Sequence, residues 1–490
     1  MLVFSLFWRM RHDTPLIHYA AFLMNEHGAV PYRDFFETSW VGTFMLHAGF
    51  TSLFGYGDFA FMAANAGYLA LLCLITWHVM KPFGRHAALF AIALFAAVYL
   101  GHGPSIILQR DYLGILPIAF AVLLSLNQDS SGLWRQAAIG FLFGCAASIK
   151  PHLAIAAPLV VLFTALEGRN DSWRAHAPAI IGQITIAVLG FAISFGLPLI
   201  WLWQQGGMPA FWDMLTRYLP LHQSMNGQYE VLNGGALLMG KVLRFGFELA
   251  FWVVPIGAAL AIHIGPQRPS LTQHKRALYL VALGALYALY TWIAGKFWDY
   301  HWMPMTYFAC LLTALAMADK RPGLTTVPVK VLILVLALGS LAWQGKPRPL
   351  MGIAAKGIEN LTPKQGKPDA IAAYLKAHLK PGETVQPIDW TEGAIHGMLL
   401  ARAPIATPYL YDYHFYHHVS DPFIQHMRAD FITQLKQTKP RFLIEIKHGL
   451  WPTGQDTATI FPALDTFKAG YAIAHEGDGF TIFEAAPAHP

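Results

Sequence analysis

Long apolar stretches separated by short polar turns dominate the first 344 residues of the chain. A helix needs about 20 apolar residues to cross roughly 30 Å of hydrocarbon. Candidate spans lie near 58–80, 87–101, 112–126, 136–149, 153–166, 178–203, 242–264, 277–294, 302–318 and 330–344. With the apolar N-terminal stub MLVFSLFW as the first, they predict about eleven transmembrane helices and therefore a polytopic α-helical membrane protein.

The N-terminal stub is too short to cross a membrane, because only eight residues precede Arg9. Either the true start lies upstream of Met1 or the first helix is truncated. We favour the upstream start, since the loop that follows needs a helix to deliver it across the membrane. The stub lacks the basic leader and the small-residue cleavage site of a secretory signal peptide.

Beyond Trp343 the apolar pattern gives way to a polar linker at 345–366 and then to a soluble pattern at 367–490. Helical periodicity and apolar runs predict an extracytoplasmic α/β domain of about 125 residues. Its predicted helices are Asp369–Leu379, Glu392–Leu400 and Asp421–Lys436, and its predicted strands are Thr384–Ile388, Phe442–Ile446, Tyr471–Ala474 and Phe480–Phe483. Residues 1–344 form the predicted membrane domain.

Composition supports the membrane assignment. The chain is 55% hydrophobic and 13% charged, with a mean hydropathy of +0.41, whereas soluble domains average about 25% charged residues. The net charge of +6 does not indicate nucleic-acid binding, because the basic residues never form a run. The three cysteines lie inside apolar spans and predict neither a disulfide framework nor a thiolate metal site.

The loops divide into two alternating sets with different densities of Lys and Arg. One set carries eleven basic residues in about 50 positions and the other eight in about 108. The positive-inside rule places the richer set in the cytoplasm. The N-terminal loop and everything after residue 345 are therefore expected outside the cytoplasm.

The loop from Arg11 to Gly42 is dense in charge for so apolar a chain. Apolar residues recur at helical spacing between Asp13 and Gly28, which predicts an amphipathic helix at the bilayer interface. Asp13 stands at the start of that helix beside Pro15. Two interpretations remain open for Asp13, a functional carboxylate and a helix N-cap.

Three further outer loops carry compact mixed-charge motifs: Gln109-Arg110-Asp111, Lys150-Pro151-His152 and Lys296 through His301. Ionisable groups at membrane depth cost about 2.5 to 3.5 kcal/mol each and usually mark function. The alternative is that these cations reach out to phospholipid headgroups. We expect the loops to converge on one outer-leaflet cavity that contains Asp13, Asp34, Arg110, Asp111, Lys150, His152, Lys296 and His301.

Two other segments leave alternatives open. The aromatic outer loop from Gln204 to Lys241 is either a lid that guides a lipid tail or a headgroup-level anchor. His414, His417 and His418 are either a metal or acceptor contact or, as we favour, part of an exposed polar loop. The other histidines lack metal-ligand spacing.

The motifs resemble those of membrane-embedded GT-C glycosyltransferases, specifically bacterial relatives of the protein O-mannosyltransferases and lipid A aminoarabinose transferases. The similarity runs through HDTPxxxYxAxLxxxxGxVPYRDFF, QRDYL, SIKPH and the segment from Gly295 to Pro304, in matching order. The chain departs from the pattern at Ser39-Trp40-Val41-Gly42, where these relatives carry Pro-Gly.

The resemblance implies transfer of a sugar from a polyprenyl-phosphate donor to an acceptor glycan, lipid or protein, with inversion expected. By position Asp13 is the implied general base, and Asp34 is the second candidate carboxylate. Arg110, Lys150, Lys296 and His301 are the implied phosphate-binding groups, supported by Arg33, Asp111, His152 and Tyr300. No metal or other cofactor is indicated. The competing functions are a transporter or flippase of lipid-linked intermediates and a non-catalytic assembly protein.

Overall fold

A computed structural model describes residues 2–127, 132–166, 173–224, 235–264, 271–295, 297–318, 365–447 and 456–485, with isolated positions at 331, 335, 339 and 452. The chain forms two compact units. Unit 1 contains 1–7, 62–198 and 239–362, and unit 2 contains 8–61, 199–238 and 363–490. Whereas the predicted domain limits follow composition, these units follow contacts, so the N-terminal loop and the C-terminal α/β segment belong to the same unit.

Helices make up nearly all of the described membrane part. In chain order they are α1 (Leu2–Ser5), α2 (Thr14–His27), α3 (Val41–Phe54), α4 (Asp58–Met80), α5 (Arg85–Gly101), α6 (Arg110–Leu113), α7 (Ile115–Leu126), α8 (Leu133–Ile149), α9 (Ala157–Leu166), α10 (Trp173–Gln204), α11 (Met208–Asp213), α12 (Leu219–Ser224), α13 (Gly235–Ile264), α14 (Leu271–Ala294) and α15 (Met303–Ala314). Short 3₁₀ turns at Lys81–Phe83, Pro151–Ala156, Asp299–Trp302 and Leu315–Met317, and a π turn at Met214–Tyr218, join or extend them.

Four helical segments are long and apolar enough to cross a membrane: Asp58–Phe83, His176–Gln204, Val242–Ala261 and Leu271–Ala294. Apolar helices of 10 to 17 residues, among them Arg85–Gly101, Leu133–Ile149 and Pro151–Leu166, coincide with other predicted spans. The multi-pass helical class is therefore confirmed. The predicted span at 330–344 lies largely outside the described residues, and the count of eleven stays a prediction.

The predicted helix between Asp13 and Gly28 is confirmed as α2, which ends where Gly28 takes φ +64°. Its amphipathic character is wrong, because every residue from Thr14 to Leu23 is buried, including His18 at 1% exposure. The helix packs against α3 and against a helix of the C-terminal segment, Ala394–Ala401. A helix buried on all sides keeps apolar residues around its whole circumference.

Helices α8 and α10 approach closely through small residues. A Cβ atom added to Gly140 would meet the Ala187 carbonyl oxygen at 1.8 Å, and one added to Gly190 would meet the Ala137 carbonyl oxygen at 2.1 Å. The Ser194 hydroxyl donates across this contact to the carbonyl of Phe141 at 2.6 Å. Gly140 and Gly144 form a GxxxG pattern, which lets helix backbones pack closely in membranes.

The C-terminal segment forms a four-stranded sheet with flanking helices. The strands are β1 (Val385–Ile388), β2 (Phe442–Ile446), β3 (Tyr471–Gly477) and β4 (Phe480–Ala485), in the order β1-β2-β4-β3. Strands β1 and β2 run parallel with Val385 opposite Phe442, and β4 is antiparallel to both β2 and β3. The helices are α16 (Lys367–His378), α17 (Ala394–Ala401), α18 (Pro422–Thr438) and α19 (Pro462–Lys468).

All four strands and three helices predicted for this segment are confirmed within a few residues, which establishes the small α/β fold. Strand β2 is a nearly continuous apolar run, as expected for a buried strand beside a parallel neighbour. Helix α19 was missed by the sequence reasoning, because its seven residues with Pro462 at the start are too short for a periodic signal.

Candidate active site

The centre of unit 1 is a buried ion pair between Asp111 and Lys150. The Lys150 Nζ atom lies 3.0 Å from Oδ1 and 3.2 Å from Oδ2 of Asp111. The hydroxyl of Tyr290 also donates a short hydrogen bond to Asp111 Oδ1. The Asp111 side chain is fully buried and that of Lys150 is 18% exposed. Both carboxylate oxygens of Asp111 are therefore occupied by donors.

Local sequence explains how these side chains reach their positions. Lys150 immediately precedes Pro151, and proline disfavours the helical conformation for the residue before it. Helix α8 accordingly ends at Ile149, and Lys150 takes an extended backbone with φ −160° and ψ 112°. Asp111 lies in the first turn of the one-turn helix α6, and Tyr290 is near the end of α14.

Further cationic groups surround this pair. Burial alone would raise the pKa of Asp111, but Lys150, His301 and the Tyr290 hydrogen bond together hold that pKa below its usual value. Desolvation lowers the pKa of Lys150, and the charge of Arg110 lowers it further, whereas Asp111 raises it. Desolvation and the charge of Lys150 lower the pKa of His152. Arg110 and Lys150 are therefore two basic side chains close to each other, an arrangement suited to an anionic ligand.

His301 and Tyr300 approach the same cluster from the 3₁₀ turn Asp299–Trp302, where both are buried. Of the eight side chains expected to converge on one cavity, Arg110, Asp111, Lys150, His152 and His301 lie in unit 1, whereas Asp13 and Asp34 lie in unit 2. Lys296 lies outside the described residues. Tyr290 was missed by the sequence reasoning, and its only signal was a hydroxyl within the predicted span at 277–294.

The loop residues Asp13, Arg33 and Asp34 belong to unit 2. Asp34 is held by Arg33, whose Nε and Nη2 atoms lie 2.8 and 2.7 Å from its two carboxylate oxygens. The backbone N–H of Val30 donates a further bond to Asp34, and Arg33 Nη1 donates to the carbonyl of Gln205. The paired Arg33 guanidinium holds the pKa of Asp34 below its usual value. Asp34 thus stabilises the conformation of the loop through these hydrogen bonds.

Asp13 has a different environment. It occupies the N-cap position of α2 but makes no side-chain capping hydrogen bond. Its Oδ1 atom lies 3.0 Å from Nδ1 of His12, and its side chain is 25% exposed. Within the described residues, this geometry does not match the capping interpretation, which requires the carboxylate to accept a bond from the first helical turn.

A cavity of about 430 Å³ is lined by His12 and Pro15, which precede and follow Asp13 in the sequence. Arg9 binds Asp58 at 2.7 Å and Asp369 at 2.9 Å at its wall, and His396 lies 3.1 Å from Asp58. This network was missed by the sequence reasoning, although a carboxylate at the start of the long apolar helix α4 could have indicated it. The lining residues are Arg9, Met10, Arg11, His12, Pro15, Gln365, Gly366, Pro368, Asp369, Thr391, Glu392, Gly393 and His396.

Positive backbone φ angles occur at or beside all four charged motifs. His12, Tyr32, Leu108 and Phe297 each take a positive φ between 50° and 69°. Each lies within two residues of a motif residue named above. Non-glycine residues in this region cost free energy and cluster at functional sites.

The histidines of the C-terminal segment are not an exposed loop, so that expectation is wrong for His414 and His417, which are 0% and 3% exposed. His414 Nδ1 lies 3.1 Å from the hydroxyl of Tyr218. Burial lowers the pKa of His414 to about 3. Among the described residues, no group of three His, Cys, Asp or Glu side chains is arranged to hold a metal ion.

Comparison with solved structures identifies the fold. ArnT from Cupriavidus metallidurans, solved with undecaprenyl phosphate bound, matches with a TM-score of 0.57 at 12% identity, over 99% of this chain and 96% of ArnT. The chain therefore has the same overall fold as ArnT. No protein-family model and no curated protein sequence matches the chain.

Two other solved structures show weaker likeness. The Archaeoglobus fulgidus oligosaccharyltransferase, in complex with Zn and sulfate, gives a TM-score of 0.41 at 12% identity, over 89% of this chain and 64% of its own. The mycobacterial arabinofuranosyltransferase AftD gives 0.43 at 13% identity, over 98% of this chain and 42% of its own.

Proposed function

We propose that this protein is a glycosyltransferase of the inner membrane that transfers a sugar from a polyprenyl-phosphate donor to an acceptor glycan, lipid or protein at the outer face. The observation that carries the proposal is the buried Asp111–Lys150 pair with the basic side chain of Arg110 close to Lys150. It belongs to a chain with the fold of ArnT, whose structure holds undecaprenyl phosphate.

The charge of the leaving group explains why the site needs cations. In the transfer, the acceptor oxygen or nitrogen forms a bond to the anomeric carbon while the bond from that carbon to the phosphate oxygen breaks. The phosphate leaves with the bonding electrons, so negative charge develops on it. Arg110 and Lys150 supply charge-assisted hydrogen bonds for that charge, with His301 in support. Lys296 has the same proposed role on sequence grounds alone.

The base must accept the proton of the acceptor hydroxyl or amine. Asp111 is held by Lys150 and Tyr290, and Asp34 is held by Arg33, so each has its oxygens occupied. Asp13 is partly exposed and contacts His12, which lines the 430 Å³ cavity. These contacts favour Asp13 as the general base. Attack opposite the departing phosphate inverts the configuration at the anomeric carbon.

Mass spectrometry of the lipids retained by the purified protein tests the donor class. We expect a polyprenyl phosphate in the wild type and its loss in Arg110→Ala. Lys376→Ala, which changes a lysine in the last turn of α16, serves as the matched control. Retained lipid without sugar transfer would favour a flippase, and absence of any polyprenyl lipid would contradict the donor assignment.

A further inference from the structure

The C-terminal segment contains a second cavity, of about 270 Å³, at one edge of its sheet. Ile388 ends β1 and Ile446 ends β2, and both line the cavity together with Trp390, which follows β1. These two strands are parallel, so the cavity lies beyond their carboxyl ends. Ligands of open α/β sheets bind at this place.

Asp412 is the unusual group of this cavity. It is 1% exposed, and neither of its carboxylate oxygens has a hydrogen-bond partner of normal geometry in the part of the chain that the structure describes. The phenol of Tyr416 is the neighbour that favours its charged form. A buried polar group without a partner is costly and rare in native proteins. A ligand that forms hydrogen bonds with Asp412 would supply the partner that this carboxyl lacks.

The other lining side chains indicate what the ligand is. Trp390 and Tyr416 provide aromatic surface, with ring centroids 6.0 Å apart. Glu445 and Asp465 provide further carboxylates, and Glu445 is fixed by Lys468 at 2.5 Å. A pyranose ring needs both kinds of surface, since its C–H faces pack on aromatic rings while its hydroxyls require hydrogen-bond partners.

The charge state of the cavity decides whether its ligand is a neutral sugar or a cation. Burial, reinforced by Asp389 and Glu445, raises the pKa of Asp412 well above its usual value. A protonated carboxyl both donates and accepts hydrogen bonds, as a sugar hydroxyl does. The carboxylates of this cavity do not form a metal-ligand group in the described chain.

We propose that the cavity lined by Trp390, Asp412 and Tyr416 binds a neutral pyranose ring of a glycan. Its volume of about 270 Å³ is just below the range of about 300 to 1,000 Å³ typical for drug-sized ligands, which suits a single ring. The site uses none of the residues assigned to transfer. It is therefore independent of the proposed transferase activity.

Saturation-transfer NMR on the full-length protein tests this site. The protein is placed in lipid nanodiscs, because maltoside detergents carry sugar headgroups of their own. The probes are the methyl α-glycosides of glucose, mannose and galactose, and N-acetylglucosamine, with glucuronic acid as the charged comparison. We expect binding of at least one neutral sugar and at least tenfold weaker binding of glucuronic acid, since the carboxylates of Glu445 and Asp465 would repel its carboxylate.

Variants then locate the binding. Asp412→Ala and Trp390→Ala should each weaken it at least tenfold, whereas Asp412→Asn should stay within about threefold because Asn also donates and accepts. Thr459→Trp fills the exposed rim of the cavity without touching its buried core and should abolish binding. Thr466→Trp, at an exposed position on α19 outside the lining, is the matched control and should bind as wild type.

Three results would overturn the proposal. Absence of saturation transfer from every neutral probe would refute sugar binding. Unchanged binding in both Thr459→Trp and Asp412→Ala would locate the sugar elsewhere. Displacement of a bound probe by spermidine or Ca²⁺ at micromolar concentration would identify a cation site. None of these results depends on transferase activity, because the readout is binding.

Discussion

Three carboxylates in the charged motifs differ in what holds their oxygens. Asp111 is bound by Lys150 and Tyr290, Asp34 by Arg33 and the Val30 backbone, and Asp13 contacts His12. A carboxylate tied to a strongly cationic donor is stabilised as the anion and accepts a proton poorly. At the scale of single residues, the type of partner, a lysine or arginine for Asp111 and Asp34 but a histidine for Asp13, distinguishes the proposed base from carboxylates that position their neighbours.

Replacing Asp13 with Asn tests the base directly. Asn keeps the size of the side chain but does not accept a proton at neutral pH. Transfer from a polyprenyl-phosphate donor should therefore fall by about 100-fold or more, while thermal stability and retained donor lipid stay near wild type. The measurement is the rate of sugar transfer by purified protein.

The helix-capping interpretation of Asp13 makes the opposite prediction. Asn caps a helix about as well as Asp, so Asp13→Asn would change little, and Asp13→Ala would lose about 1 kcal/mol of stability. Asp34→Asn is the comparison on the same loop. An inactive Asp34→Asn beside an active Asp13→Asn would mean that the base is assigned to the wrong carboxylate.

The phosphate-binding role is best tested on Arg110 and on the ion pair as a whole. Arg110→Ala should lose at least tenfold in transfer, since a charge-assisted contact is worth about 1.5 to 3 kcal/mol. Lys150→Ala alone would leave Asp111 buried without its cation, which costs about 3 to 5 kcal/mol of stability.

The double variant Lys150→Met with Asp111→Asn avoids that problem, because it removes both charges together. It should fold with a melting temperature near wild type and yet lose transfer at least tenfold. Full activity in this double variant and in Arg110→Ala would move these residues to a structural role. The assay is sugar transfer measured alongside thermal melting.

The lowered pKa of His414 predicts how the stability of the protein depends on pH. Its folded pKa of about 3 lies below the ordinary value of 6.5, so the unfolded chain binds a proton in the interval between these values and the folded chain does not. Its contribution to stability is complete above pH 6.5 and is lost as the pH falls towards 3, by about 1.4 kcal/mol per unit.

The pH dependence must be read as a difference between proteins, because other buried groups titrate in the same interval. His18 also has a pKa of about 3 and adds the same sign, while the raised pKa of Asp412 acts in the opposite direction. Melting of the wild type and of His414→Phe is compared at pH 7 and pH 4.5. The variant should lose less stability on acidification, and parallel curves would contradict the assignment.

Candidate site residues could be predicted from the sequence where charged side chains interrupt apolar stretches. Arg110, Asp111 and Lys150 are conspicuous for that reason, and the structure brings them together. Tyr290, Asp58 and His396 were not found, since a hydroxyl inside a span or an acid at a helix start is common. Their partners are distant in sequence, and only the folded chain shows the pairing.

At the scale of elements, the sequence predicted helices best where a local stop signal exists. Gly28 ends α2 in a left-handed conformation, and Pro151 forces Lys150 out of α8. Helix α3 had been missed, because its 14 residues are too few for a span and its apolar and polar positions show little helical periodicity. The burial of α2 on all sides could not be predicted either, since it depends on α17, nearly 370 residues further along the chain.

The close contact of α8 and α10 supports an element-scale prediction. Gly140→Ala would place a methyl group 1.8 Å from the Ala187 carbonyl oxygen, and this backbone atom cannot turn aside as a side chain could. The helices would have to separate, so the purified variant should melt several degrees lower or fail to accumulate. Thermal melting in detergent is the measurement.

Gly196→Ala is the matched control for this helix pair. It lies on α10, the same helix, and an added Cβ meets no atom within 4 Å. Replacing helical Gly by Ala in open space is neutral or slightly stabilising. Equal melting of Gly140→Ala and Gly196→Ala would contradict the close packing.

At the scale of the whole molecule, composition and hydropathy were sufficient for the class, a multi-pass helical protein with a small C-terminal α/β fold. They were insufficient for the two compact units, because the N-terminal loop joins the C-terminal segment through long-range contacts such as Tyr19 to the Ala403 carbonyl, at 2.6 Å. No local pattern encodes a hydrogen bond between residues 384 positions apart.

Membrane orientation is the last prediction, and it rests on the unequal density of Lys and Arg in alternate loops. The prediction requires that helices α2 and α3, which lie between the N-terminal stub and the span at 58–80, do not cross the membrane. The loop of Asp13 and the segment after residue 345 should therefore lie on the same, outer side.

Paired reporter fusions, one active only in the cytoplasm and one only outside it, check this orientation. Fusions after Gly84, Gly168 and Gly323 should report the cytoplasm, and fusions after Gly227 and Gly366 the exterior. The Gly366 fusion is decisive, since it determines the side of the whole α/β segment. A cytoplasmic signal there would remove the proposed sugar-binding cavity from the outer face and reverse the orientation assigned to the chain.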